Sequence, residues 1–158
     1  MRIERWAALV GSTALSALAL AGAGSAATAA SGADTFQARA TAVCTVEMGA
    51  VNRQAKTVDA AKTAAQQSKA MGNLAKALRK LSTRLTALAP PEKIAASNEW
   101  RELTALTRVA ADDYDTVAAD IKRGANAVGI RAYLARAKGE VAMAKIAAKK
   151  LGLTACSR

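Results

Sequence analysis

The chain has 158 residues, with 23 Lys and Arg against 12 Asp and Glu, no His, two Cys, two Pro and 3% aromatics. That length allows one domain, and Gly and Pro are too scarce for an all-β chain full of turns. The absence of His removes the commonest general base, zinc ligand and haem ligand together, and the 52% of hydrophobic residues is inflated by Ala, the smallest of the class.

At the N-terminus, Arg2 and Arg5 precede an uncharged run that begins at Trp6. Its apolar centre has signal-peptide length and gives way to small residues, with Ala27-Thr28-Ala29 the best A-x-A-like cleavage site. The strongly apolar part is short for a membrane span and diluted by Ala, Gly, Ser and Thr. The expectation is a signal peptide over 1–29, no stable transmembrane anchor, and a protein that is secreted or held in the cell envelope. No Cys follows the apolar run, so a lipid-modified N-terminus is not expected. Loss of Arg2, Glu4 and Arg5 lowers the net charge of +11 by only one unit. Cys44 and Cys156 both survive, and two thiols in an oxidising compartment, without C-x-x-C spacing, read as one structural disulfide.

Beyond the leader, the dominant signal is helical periodicity. A first helix is expected from near Asp34, with Asp34 and Gln37 as a capping box and a seam of Cys44, Met48, Val51, Ala55 and Val58. Its end is the least defined feature: Asp59 is one candidate cap for a second helix starting at Ala60, and Gly72-Asn73 is the rival break. Met71, Leu74, Leu78, Leu81, Leu85 and Leu88 then step by three and four, which places one apolar stripe on one helix face. Pro90-Pro91 ends that helix and opens the next, with Glu92 favourable at its N-terminus. There Trp100, Leu103, Thr107, Ala110, Tyr114, Val117 and Ile121 repeat the rhythm, widened by Leu106. Gly124 stops it behind Lys122 and Arg123, and Asn126 caps the last helix. That helix carries Ile130, Leu134, Ala137, Val141, Ala144, Ala148 and Leu151, and Gly152 closes it behind Lys149 and Lys150.

The cysteines bear on the helix count. In an up-and-down bundle, the start of the first helix and the end of the last share an end only when the number of helices is even. The expected fold is therefore all-α: an up-and-down four-helix bundle over 34–158, stapled by Cys44–Cys156. A closed loop of about 110 residues gives a chain-entropy stabilisation of roughly 4–5 kcal/mol. Alanine lets helices approach to about 8 Å, which predicts little room for an internal cavity.

Leu85-x-x-Leu88-x-Pro90-Pro91, Trp100-x-x-Leu103-x-x-Leu106 and Lys150-Leu151-Gly152-Leu153-x-x-Cys156, with an upstream Cys44, form a set. This set resembles small exported helical proteins of actinobacteria and related high-GC Gram-positives, which carry an early Cys, an L-x-P-P hinge and a G-L-x-x-C ending. The resemblance spans about residues 40–158 through short motifs. It implies a helical bundle, export and a disulfide; it implies no activity, so no functional residue transfers. Such proteins have a helix-breaking linker after the first Cys, where this chain has only Thr57-Val58-Asp59.

No nucleophile elbow, Walker loop or dinucleotide fingerprint occurs. Asp112, Asp113 and Asp115 supply too few oxygens on one helix turn for a calcium site, so neither an enzyme nor a cofactor is expected. Charge is distributed unevenly. Residues 60–89 carry Lys62, Lys69, Lys76, Arg79, Lys80 and Arg84 with no acid. Residues 125–158 carry Arg131, Arg136, Lys138, Lys145, Lys149, Lys150 and Arg158 against Glu140 alone, and the segment between is mildly acidic. In one reading these charges set solubility and neighbour choice, and the protein is a non-catalytic binding or interaction module of the envelope. In the other, Lys62, Lys69, Lys76, Arg79, Lys80, Arg84, Lys145, Lys149 and Lys150 attract anionic envelope polymers: teichoic acid, an anionic lipid surface or extracellular nucleic acid. Few aromatics and no motif argue against sequence-specific nucleic-acid binding. Trp100 and Tyr114 are expected in the core, Tyr133 on the surface, and Met48, Met71 and Met143 as gap fillers.

Overall fold

The computed structural model describes residues 32–158, so the signal peptide expected over 1–29 lies outside the described residues. Among the described residues the chain forms a helical bundle of five helices and no strand: α1 (Gly32–Ala60), α2 (Ala64–Thr86), α3 (Glu92–Ala95), α4 (Asn98–Arg123) and α5 (Ala127–Lys150), followed by a 3-10 turn at Thr154–Cys156. Short connections force neighbouring long helices to run antiparallel. Ser68 bonds to the Ala118 carbonyl and Ser82 to that of Thr104, so rising positions on α2 meet falling positions on α4.

Helix boundaries follow capping chemistry, and several differ from the sequence expectation. Asp34 and Gln37 lie inside α1 instead of capping it, and the Gln37 amide reaches the Leu151 carbonyl at 3.2 Å. The first break falls at neither Asp59 nor Gly72-Asn73. Asp59 belongs to the last turn of α1, and Gly72 and Asn73 lie within α2. Thr63 is the cap: its hydroxyl accepts from the Gln66 N–H while the Gln66 side chain accepts from the Thr63 N–H, a complete capping box. Pro91 opens only the four-residue α3. Ser97 starts a fresh helix by accepting from the Trp100 N–H at 3.2 Å, so the expected continuous helix from Pro90 is divided. Asn126 caps α5 as expected, with Oδ1 accepting from Val128 and Gly129. Gly124 turns the chain at φ 68°, a left-handed geometry that glycine adopts without a Cβ penalty.

The leucine stripe is the core. Met71, Leu74, Leu78, Leu81, Leu85 and Leu88 are all buried, facing Trp100, Leu103, Thr107, Ala110, Tyr114 and Val117 of α4 and Cys44, Met48 and Val51 of α1. Phe36 meets Trp100 edge to face at 5.3 Å, pinning the start of α1 to the start of α4. Cys44 is bonded to Cys156 with the Cα atoms 4.9 Å apart. Met48 and Met71 fill core positions, whereas Met143 points to solvent, against expectation. Tyr133 is at the surface, beneath the Arg136 guanidinium.

Buried charges fix the helix pairs. Asp113 of α4, 2% exposed, accepts both ends of the Arg136 fork from α5. This bidentate geometry suits a guanidinium and orients the two helices. The Asp113 contact holds the Arg136 pKa above its ordinary value. Glu47 of α1, also sealed from solvent, faces Lys80 at 3.3 Å and Arg84 at 3.2 Å on α2.

Candidate functional site

Packing around the bundle is sequential and incomplete: α1 packs on α2, α2 on α4 and α4 on α5, but α1 meets the end of the chain through the 3-10 turn and the Gln37 bond to the Leu151 carbonyl. The turn and the disulfide bring the last residues under α1, while the bodies of α1 and α5 stay apart. Between them lies an apolar cleft of about 130 Å³. Leu74, Leu78, Leu81, Leu103 and Val141 line it, with Met48, Val51 and Ala55 from α1, Ala144 from α5 and Cys156 beside them. The sequence expectation of no cavity fails for a specific reason. Alanine does bring α4 and α5 together, through Ala110, Ala111, Ala137, Ala144, Ala147 and Ala148. On the α1-facing side of α5, however, Val141, Ala144 and Lys145 do not bring the helix against α1, and the space between the two stays unfilled.

Four polar groups touch this apolar surface. The Thr107 hydroxyl is satisfied by the Leu103 carbonyl at 2.6 Å. The Tyr114 hydroxyl has no hydrogen-bond partner among the described residues, and burial, assisted by the charge of Asp59, raises its pKa. Asn52 and Lys145 stand at the rim from α1 and α5, and Lys145 forms no ion pair among the described residues. A cavity walled by Leu, Val, Met and Ala, with Tyr114 among its lining residues, suits an apolar guest, because water there would find too few partners.

The nine candidate cations do not form one patch. Arg79 is clamped between Asp112 at 2.9 Å and Asp115 at 2.6 Å, and these bonds raise its pKa. Those two aspartates, each still partly exposed, therefore hold an arginine. Lys80 and Arg84 close over Glu47, and Lys150 lies 3.9 Å from Glu99. Lys69 and Lys76 of α2 and Lys62 of the connection before it are exposed without acidic partners among the described residues, while Lys145 and Lys149 belong to α5, which does not pack on α2. Sequence reading missed the cleft because its cause, a gap between two particular helices, depends on tertiary distances. Among the described residues, no group of three His, Cys, Asp or Glu is placed to hold a metal ion, and no helix is long and apolar enough to cross a membrane.

Comparison with known proteins adds no relative: no family model, curated protein or solved structure matches this chain.

Proposed function

We propose that this protein is an exported, non-catalytic binding module of the cell envelope or extracellular space, a four-helix bundle released from its signal peptide near Ala29, and that the cleft between α1 and α5 takes a small apolar molecule. The observation that carries this reading is the cleft, walled by all four long helices and left open where α1 and α5 fail to meet. An engineered apolar cavity of comparable size, about 150 Å³, stays dry and binds benzene. The guest class is therefore a single aromatic ring or a short alkyl chain, with the Tyr114 hydroxyl available to a polar end. The resemblance to exported actinobacterial helical proteins agrees with the leader and the disulfide and adds nothing on ligand.

Titration of the protein with benzene and short alkyl alcohols, followed by calorimetry and melting temperature, tests the reading. Saturable binding that raises the melting temperature is expected. Ala55→Leu, which extends a side chain into the space, should abolish binding without unfolding the bundle. Absence of saturable binding by every probe overturns the reading. Export is tested separately by the N-terminus of protein recovered outside the cell, expected at Ala30.

A second reading, attraction of anionic polymers, is favoured by the acid-free Lys62, Lys69 and Lys76 row. Retention on heparin that falls steeply with salt and is lost on replacing these three lysines by Gln would support it; elution at low salt would dismiss it.

A further inference from the structure

α5 carries two apolar seams. The inner one, through Ala137, Ala144 and Ala148, packs into the bundle. The outer one runs Val128, Ala132, Ala135, Gly139, Ala142 and Ile146, in steps of four and three, and every member is exposed. At 100° per residue these six fall within an arc of about 80°. Val128 is 67% exposed, Ile146 57%, and Met143, bordering the arc, 53%. Half of the six large apolar side chains that stand in solvent among the described residues are thus on this one helix face.

The edge of that face is basic. Arg131, Lys138 and Lys145 recur every seven residues and Lys149 extends the row. The only acid of α5, Glu140, lies toward α4, where it joins Arg136 and Asp113. Arg79, Lys80, Arg84 and Arg136 all have acidic partners, but no cation of this row does among the described residues. A soluble polyanion would use the charges and leave Val128, Met143 and Ile146 in water. A second copy of the chain would cover the apolar face but bring one basic row against another. An anionic bilayer satisfies both features: the apolar side chains enter the headgroup–acyl boundary while flanking cations reach lipid phosphates.

We infer that the outer face of α5, from Val128 to Ile146 with its Arg131–Lys138–Lys145–Lys149 edge, docks the protein flat on an anionic lipid surface. The helix lies on the membrane without crossing it, and the cleft opens beside the basic edge, where Lys145 stands at its rim. The inference does not depend on the cleft having a ligand.

Co-sedimentation of the whole chain with phosphatidylcholine vesicles, with and without phosphatidylglycerol, tests it. Partitioning should rise about tenfold or more with the anionic lipid and fall with added salt. Arg131→Gln with Lys138→Gln should weaken it about fivefold per cation removed. Val128→Glu with Ile146→Glu should abolish the anionic increment. All four positions are exposed, so melting temperatures should stay near that of the parent. Equal partitioning to both vesicle types overturns the inference, as does an anionic increment left undiminished by either double variant. So does a dimer, seen by sedimentation velocity, that dissociates in the Val128→Glu, Ile146→Glu protein, since the face would then belong to a second copy.

Discussion

Glu47 and Arg84 meet at 3.2 Å across the α1–α2 interface, with the carboxylate 1% exposed and the guanidinium half in water. Lys80 approaches the same oxygen from solvent, and neither carboxylate oxygen, both buried, has a hydrogen-bond partner. A buried charge held this way stabilises less than its proximity suggests, because removing it from water offsets most of the attraction. Removing the cations and removing the acid should therefore have opposite consequences. Lys80→Ala with Arg84→Ala strands a buried charge and should cost about 2–3 kcal/mol, the low side for such a loss because both cations are half solvated. Glu47→Leu should be neutral or stabilising. Chemical denaturation of both variants checks the asymmetry, and equal losses would refute it.

The cleft predicts unequal costs for similar core truncations. Leu85 is fully buried and away from the cleft, whereas Leu81 borders space that is already empty. Leu85→Ala should cost about 4–5 kcal/mol and Leu81→Ala about 2–3 kcal/mol, since fewer packing contacts are lost beside an existing void. In the opposite direction, Ala55→Leu should gain about 1 kcal/mol by filling it. Urea midpoints order the three variants; a destabilising Ala55→Leu would mean that the space closes in solution.

What the sequence made legible is what depends on local chemistry. The α2 and α4 stripes were readable because their apolar side chains are large and strictly periodic, and every residue from Met71 to Leu88 on that stripe is buried. Asn126 and Gly124 were readable because a cap and a left-handed residue restrict the amino-acid type. Thr63-Ala64-Ala65-Gln66 carried an equally good capping-box signal, but it falls between the two candidate breaks, Asp59 and Gly72-Asn73. The Ser97 cap was hidden behind the stronger Pro90-Pro91 punctuation. The cleft, the Glu47 charge cluster and the Arg79 clamp were not legible. Each depends on which face of one helix lies opposite which face of another. α5 is apolar on two faces, and that concealed the difference between its packed and exposed seams.

Cys44–Cys156 should decide whether the bundle survives as a unit. The bond spans 112 residues and joins α1 to a chain end that otherwise touches it through the 3-10 turn and the Gln37 amide. Constraint of the unfolded chain over such a loop amounts to about 4–5 kcal/mol. Reduction, or Cys44→Ser with Cys156→Ser, should lower stability by that order and free α1 preferentially, because α2, α4 and α5 keep their mutual interfaces. Hydrogen exchange should accordingly show protection lost first in Gly32–Ala60; uniform loss across all helices would contradict the sequential packing.

Glu140 should leave a pH signature of defined sign. Burial raises its pKa first, the nearby Asp113 charge adds to the effect, and Arg136, 3.8 Å away and already committed to Asp113, opposes it only in part. One of its oxygens is buried without a hydrogen-bond partner. For an acid with a raised native pKa, the folded state binds more protons than the unfolded state between the ordinary and the raised value, so stability falls as pH climbs through that window. Glu140→Gln keeps the shape and removes the charge, while Arg136 retains Asp113. The variant should match the parent at acidic pH and exceed it at neutral pH, so the difference in melting temperature grows as the window is crossed. A difference that is flat with pH would show that Glu140 titrates alike in both states, and a variant less stable at neutral pH would show that the Arg136 contact outweighs desolvation.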